Sequence, residues 1–271
     1  MTHPRSAALA ALASAVAFLA GSGLASAQSP APAVAAAPQA PPEFGPTAVY
    51  TIGFLKRGPK WTAERTEESA KIQANHMAHI RKMADEGLLV GAGPFADGGD
   101  LRGIFLFGPG KDQAARTHAA QDPAVLAGRL VLELHLWMGP AGLGDDYRQW
   151  AAQNPGANAE MITLPFALLR RSPNAKPPSE QEKGRVMAGH LAHILEGARS
   201  GRLAAAGPLL DGGDVTGLLF YSPGTEEAQA KAHAEGDPAV QAGWFVPEFH
   251  PWMVAKGVLP TRWAVQAAAP K

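Results

Sequence analysis

Eight of the nine histidines in this chain form two sets of four, held at a nearly constant separation. His76 and His79 recur as His190 and His193, 114 residues on (190 minus 76), while His118 and His135 recur as His233 and His250 at an offset of 115. Asp122, in an Asp-Pro-Ala-Val run, returns as Asp237 in an identical run. Imidazole titrates near neutrality, so it can take and give a proton there, and a neighbouring carboxylate can fix its tautomer and stabilise its cation. The recurring histidines and aspartates are therefore candidates for acid/base chemistry, which needs no cofactor. The alternative is a metal module. His76, His79, His118 and His135, or His190, His193, His233 and His250, could supply three or four ligands with help from Asp122 or Glu133, and imidazole suits Zn, Cu or a haem iron. The helical zinc-protease pattern, histidines four apart with a glutamate between, is absent, because the spacing here is His-x-x-His.

Each residue also has a purely structural reading. A histidine on an apolar helix face can be a hydrogen-bonded core residue. Asp before Pro is a favoured helix N-cap with Pro in the first helical position, although a capping carboxylate can orient an imidazole as well. Glu133, His135 and Trp137 alternate along one strand face and could satisfy a seam between domains without doing chemistry. Asp97-Gly-Gly-Asp100 reads as a tight turn. Gly91-Ala-Gly93-Pro94 and its counterpart Ala205-Ala-Gly207-Pro208 are not phosphate loops, since no Lys-Ser/Thr follows and a strand contains them.

The elements that must carry these residues recur with them. In the first copy an apolar strand over 48–56 precedes a helix over 63–86 with Ile72, Ile80 and Met83 at helical spacing, which Gly87 ends. That spacing puts His76 and His79 on the helix face turned towards the sheet. Strands over 88–95 and 102–108 follow, joined by the Asp97 to Asp100 turn, then a helix over 111–120 and an alternating strand over 129–138. The order repeats over 161–254. A βαββαβ order builds a four-stranded antiparallel sheet with helices on one face, and leaves the other face bare for a second copy to cover.

Composition removes several function classes. Lys+Arg and Asp+Glu are equal at 24 each, so no net field draws nucleic acid or an anionic membrane face, and the expected partner is a small molecule. With no cysteine, disulfides, thiolate catalysis and thiolate metal sites are all excluded. Residues 1–27 read as a signal peptide: a basic start, an apolar run too short for a membrane span, and Ala25-Ser26-Ala27 before an expected cleavage at Gln28. The mature chain should be periplasmic or secreted, without membrane contact after cleavage. A Pro/Ala-rich linker over 28–47, a first repeat over 48–139, a second linker over 140–160, a second repeat over 161–256 and a tail over 257–271 complete the expected organisation.

The run from His76 through Gly87-Leu-Leu-Val-Gly-Ala-Gly93-Pro94 to Asp122-Pro-Ala-Val-Leu-Ala-Gly128, closed by Glu133-Leu-His135-Leu-Trp137, resembles the YCII-related domain of the dimeric α+β barrel superfamily. The resemblance covers both copies. It implies two ferredoxin-like βαββαβ repeats packed as an intramolecular dimeric α+β barrel, with a small-molecule pocket between helices and sheet in each. It also implies His76 with Asp122, and His190 with Asp237, as acid/base pairs, in a family that includes lactone isomerases and dehydrochlorinases acting on aromatic breakdown products. The second helical histidines His79 and His193 depart from that pattern, as do His135 and His250, which stand where many relatives carry Arg. Three functions follow: an isomerase- or lyase-type acid/base enzyme, a histidine-based metal or haem module, and a ligand-binding protein without turnover.

Overall fold

A computed structural model describes residues 44–176, 178–261, 263 and 265. The expected signal peptide and nearly all of the first linker lie outside these residues. In the first half, β1 (Thr47–Arg57), α1 (Glu67–Asp85), β2 (Leu89–Pro94), β3 (Leu101–Phe107), α2 (Asp112–Ala119), α3 (Pro123–Leu126) and β4 (Leu130–Pro140) follow in order. After α4 (Asp145–Gln153), the second half runs β5 (Met161–Arg171), α5 (Glu180–Arg199), β6 (Leu203–Pro208), β7 (Val215–Tyr221), α6 (Glu227–Glu235), α7 (Pro238–Gln241) and β8 (Phe245–Ala255). Both halves form a four-stranded antiparallel sheet of the same order, β2-β3-β1-β4 and β6-β7-β5-β8.

Local chemistry sets the helix limits. Thr66 opens α1 with a capping box, its Oγ1 accepting from Ser69 N at 3.1 Å while Ser69 Oγ accepts from Thr66 N at 2.9 Å. Ser179 caps α5 in the same place, accepting from Glu182 N. Both helices stop before a glycine in the left-handed region, Gly87 and Gly201, a conformation that costs other residues strain.

The strands present opposite faces to two different layers, as the period of two requires. Ile52, Phe54, Ile104 and Leu106 share one buried cluster with Leu164, Phe166, Leu168, Leu218 and Phe220 of the other sheet. Leu55, Phe105 and Phe107 instead meet Met83 of α1 on the opposite face, and in the second half Leu169, Leu219 and Tyr221 meet Ile194 and Ala198 of α5. The alternation of β4 resolves accordingly: Leu130, Leu132 and Leu134 pack on the helix side, and Trp137, fully buried, joins the cluster shared by the sheets.

Where the halves meet, backbone touches backbone. Phe95 bridges to Trp252, and Trp137 to Leu209. Ala96 N donates to Pro251 O at 3.0 Å and Leu210 N to Leu136 O at 2.8 Å, while each indole reaches across, Trp137 Nε1 to Gly207 O at 3.0 Å and Trp252 Nε1 to Gly93 O at 3.2 Å. This approach explains the Gly-Pro pairs. A Cβ on Gly93 would lie 1.8 Å from Met253 O, and one on Gly207 the same distance from Met138 O.

Several segments differ from the sequence expectation. The connection over 140–160 contains a helix, α4, whose Asp145–Asp146 start suits the positive N-terminal end of its dipole. Phe44, expected in an extended linker, is buried against Trp263 of the expected tail, their rings 5.7 Å apart, and Val258 and Leu259 are core residues too. Apolar side chains this large gain about 1.5–3 kcal/mol each on burial, enough to tie down short flanking segments. Among the described residues no helix is long and apolar enough to cross a membrane.

Candidate functional site

The sequence-nominated pairs meet in space. His76 projects from the middle of α1 and its Nδ1 lies 2.7 Å from Asp122 Oδ2 and 2.9 Å from Oδ1. His190, on α5, places Nδ1 2.6 Å from Asp237 Oδ2. Each aspartate does two jobs. Asp122 Oδ1 accepts from Ala124 N at 2.8 Å and Val125 N at 3.3 Å, and Asp237 Oδ1 from Ala239 N at 2.8 Å, so both cap the short helix that the following proline starts. Capping holds the carboxylate still; the carboxylate then holds the imidazole.

The bonding fixes the proton's place. An ionised carboxylate only accepts, so Nδ1 carries the hydrogen and Nε2 of a neutral ring is left with its lone pair. Burial pushes the Asp237 carboxyl up, but the hydrogen bond and charge of His190, the Ala239 N–H and the charge of His193 outweigh it and leave the group below the usual carboxylate range. No described residue bonds to Nε2 of either His76 or His190.

The surroundings of the two pairs differ. His190 stands in the wall of a cavity of about 260 Å³ between α5 and the second sheet. Met187, Leu191 and Ile194 line it from the helix, Leu169 and Leu219 from the sheet, and Phe44 and Trp263 from the flanking segments. His76 instead has the ring of Phe105 stacked on it, centroids 6.0 Å apart and planes at 24°. Phe105 stands 114 residues before Leu219, and Arg102 the same distance before Thr216, another residue of the cavity wall. The Phe105 ring lies over the first imidazole, whereas the second has Phe245 edge-on, centroids 5.6 Å apart, and lines the cavity with it.

The remaining histidines do not converge on a metal. His79 Nε2 donates to His118 O at 2.9 Å and His193 Nε2 to His233 O at 2.8 Å, each tying its long helix to the next one. His79, expected to face the sheet, is half-buried, because three residues is short of a full turn and rotates it away from His76. His135 pairs with Asp211 and His250 with Asp97 and Glu248. In each copy the histidines divide their bonds among separate partners. Although His79 lies near His118 and His193 stacks on His233 with centroids 4.2 Å apart, a shared set from His76, His79, His118 and His135, or from His190, His193, His233 and His250, does not form. Among the described residues no group of three or more His, Asp or Glu is placed to hold a metal ion.

Two polar clusters escaped sequence reasoning. Asp97 and Asp211, in turns assigned a local role, reach across to the other half: His250 Nδ1 lies 2.5 Å from Asp97 Oδ2, and His135 Nδ1 2.9 Å from Asp211 Oδ2. His250 Nε2 is also 2.9 Å from Glu248 Oε1, and Glu248 pairs with Arg170. Its counterpart Glu133 pairs with Lys56 at 2.6 Å. The only signal in the sequence was that Asp97 and Asp211 keep the 114-residue offset with the histidines.

No protein-family model and no curated protein sequence matches the chain. Among solved structures it is similar to a protein provisionally described as a chlorite dismutase, at 11% identity and a TM-score of 0.51 over 78% of this chain and 96% of that one. A variant chlorite dismutase from Candidatus Nitrospira defluvii is similar at 9% identity and a TM-score of 0.49, over 79% and 94%. The fold is ferredoxin-like α+β. At such identity the first likeness establishes a shared fold and leaves the chemistry to the residues described above.

Proposed function

We propose that this is an exported protein of two YCII-like copies closed on each other as an internal dimeric α+β barrel, and that its second copy carries an acid/base site for a small, largely apolar molecule. The observation that carries the reading is His190, bound to Asp237 through Nδ1, in the wall of the apolar cavity. Asp237 keeps the proton on Nδ1, so Nε2 can remove a proton from the bound molecule. The imidazolium formed is stabilised by the carboxylate and returns the proton at a second atom, which is isomerisation, or gives it up to solvent as a leaving group departs, which is elimination. The apolar walls exclude water and strengthen both interactions. A lactone or a chlorinated product of aromatic ring cleavage has the size and acidity such a site requires. In the first copy, Phe105 occupies the place of a ligand and the His76–Asp122 pair serves to fasten α1.

Metal-dependent readings find less support. Zn or Cu would need several converging ligands, and the described residues offer none. One imidazole would suffice for a haem iron, but the cavity beside His190, about 260 Å³, is smaller than the usual range of roughly 300–1,000 Å³ for cofactor pockets and lends that reading little support.

The test is a panel of unsaturated lactones and uncharged chlorinated ring-cleavage products assayed with purified protein. His190→Ala should lower turnover by about 10²–10⁴-fold, the usual worth of a positioned acid or base, with the fold retained. Leu219→Phe, which puts the first copy's ring beside His190, should abolish binding, and His76→Ala should leave turnover unchanged. Turnover surviving in His190→Ala would sink the proposal, as would metal in stoichiometric amount that the substitution releases. Export is checked separately: N-terminal sequencing of periplasmic protein should begin at or near Gln28, and an intact Met1 recovered only from cytoplasm would refute it.

A further inference from the structure

On the far side of α5 from the cavity, His193, Ser200, Gly201, Arg202, Thr225, Gln229, Ala232 and His233 line an open polar cleft of about 590 Å³. No carboxylate lines it. Its polar groups include the Arg202 guanidinium, whose Nη1 lies 3.8 Å from Glu196 Oε2, and the Ser200 hydroxyl, which donates to Gly197 O at 3.2 Å. The Thr225 hydroxyl and the amide of Gln229, whose Oε1 accepts from Glu226 N, join them. His233, 5% exposed, completes the wall. Tyr221, whose phenol burial pushes up and keeps protonated, donates to His233 Nδ1 at 3.3 Å, so the hydrogen of the neutral ring sits on Nε2. That Nε2–H is buried and meets no acceptor. An orphaned buried donor is costly and calls for explanation.

The first half supplies it. There the corresponding nitrogen, His118 Nε2, has the Glu86 carboxylate 3.6 Å away. Position 200 corresponds to 86 and position 202 to 88, so the second half has Ser200 in place of that glutamate and Arg202 in place of Leu88. The carboxylate at that position is gone, and a guanidinium, itself in a long 3.8 Å pairing with the exposed Glu196, has been added beside the space it leaves.

We propose that this cleft binds a small oxyanion, a phosphate or a carboxylate group, which takes the place that the Glu86 side chain holds in the first half. Arg202, turning from its long pairing with Glu196, would provide the charge and a planar pair of N–H donors, Thr225 and Gln229 the remaining bonds, and His193 and His233 the wall. The proposal stands apart from the His190 cavity. Its failure would leave that reading untouched.

The titration of His233 offers a readout. Burial, then the charges of His193 and Arg202, hold its imidazole down to about 4, with Asp237 opposing them. An anion beside Arg202 should raise the midpoint by about one unit, as a nearby opposite charge does. The experiment follows the ring resonances of His193 and His233 in the purified protein by NMR, with sodium phosphate, sodium acetate or additional sodium chloride as the titrant. Saturable shifts and a raised His233 midpoint with phosphate or acetate, but not chloride, are expected; which of the two acts at lower concentration distinguishes the sources. Arg202→Leu should remove the response. Ser200→Glu, which restores the carboxylate of the first half, should raise the His233 midpoint with no ligand and block the effect of phosphate. No change at His233 in about 10 mM phosphate, or an equal response in Arg202→Leu, would overturn the proposal, since a bound oxyanion must be felt at this distance.

Discussion

Replacing Gly207 with alanine is expected to destabilise the protein by about 3 kcal/mol or more, lowering the melting temperature on the order of 10 °C. The added methyl would sit 1.8 Å from the carbonyl oxygen of Met138, and backbone cannot rotate out of the way as a side-chain end could. Relief requires β6 to move off β4, which breaks the Leu210 N to Leu136 O and Trp137 Nε1 to Gly207 O hydrogen bonds and opens the cluster around Trp137. Gly93→Ala should do the same at the opposite seam, against Met253 O. Gly184 is the control. It lies within α5 with nothing near the place of a Cβ, so alanine there should stabilise by about 0.5–1 kcal/mol through helix propensity. Thermal melts of the three variants check the set. If Gly207→Ala melts with wild type, the two halves do not meet as described.

Acid should destabilise the protein in two steps. His233 is the source of the first. Its folded value of about 4 lies below the ordinary value of 6.5, so as pH falls through 6.5 the unfolded chain takes a proton that the folded chain refuses. Stability is lost between about pH 6.5 and 4, and the loss comes to about 2–3 kcal/mol after allowance for screening by solvent in the adjacent cleft. The second step belongs to carboxylates. Burial pushes Asp97, Asp237 and Glu248 up, but hydrogen bonds from His250 to Asp97, from His190 to Asp237 and from Arg170 to Glu248 more than offset it, leaving all three below their ordinary values. Their contribution is complete above the unfolded carboxylate range and is lost as pH falls below about 4. Denaturant melts from pH 8 to 3 should show both limbs, and His233→Gln should flatten the upper one alone. An upper limb unchanged in that variant would assign it to another group.

Much of this molecule was legible because its determinants are local. Hydrophobic periodicity and glycine punctuation gave the order of strands and helices to within a few residues, since capping and alternation depend on near neighbours along the chain. The resemblance to the YCII-related domain nominated His76 with Asp122 and His190 with Asp237, residues that the 114- and 115-residue offsets repeat in both copies, and they lie within hydrogen-bond reach. What the offsets could not supply is what surrounds each pair. Phe105 and Leu219 are both apolar strand residues, equivalent in any pattern, yet the first covers an imidazole and the second leaves a cavity, because shape in a packed interior is decided by volumes from several segments at once. Phe44 and Trp263 close that cavity from stretches expected to be a linker and a tail. Asp97 and Asp211 looked like turn residues, and only the packing of one half against the other brought them to His250 and His135. Sequence by itself determined the elements and the candidate chemistry. Tertiary structure alone decided what surrounds each pair, a phenyl ring over His76 and a cavity beside His190, since open space is a property of distant side chains taken together and no single stretch of chain encodes it.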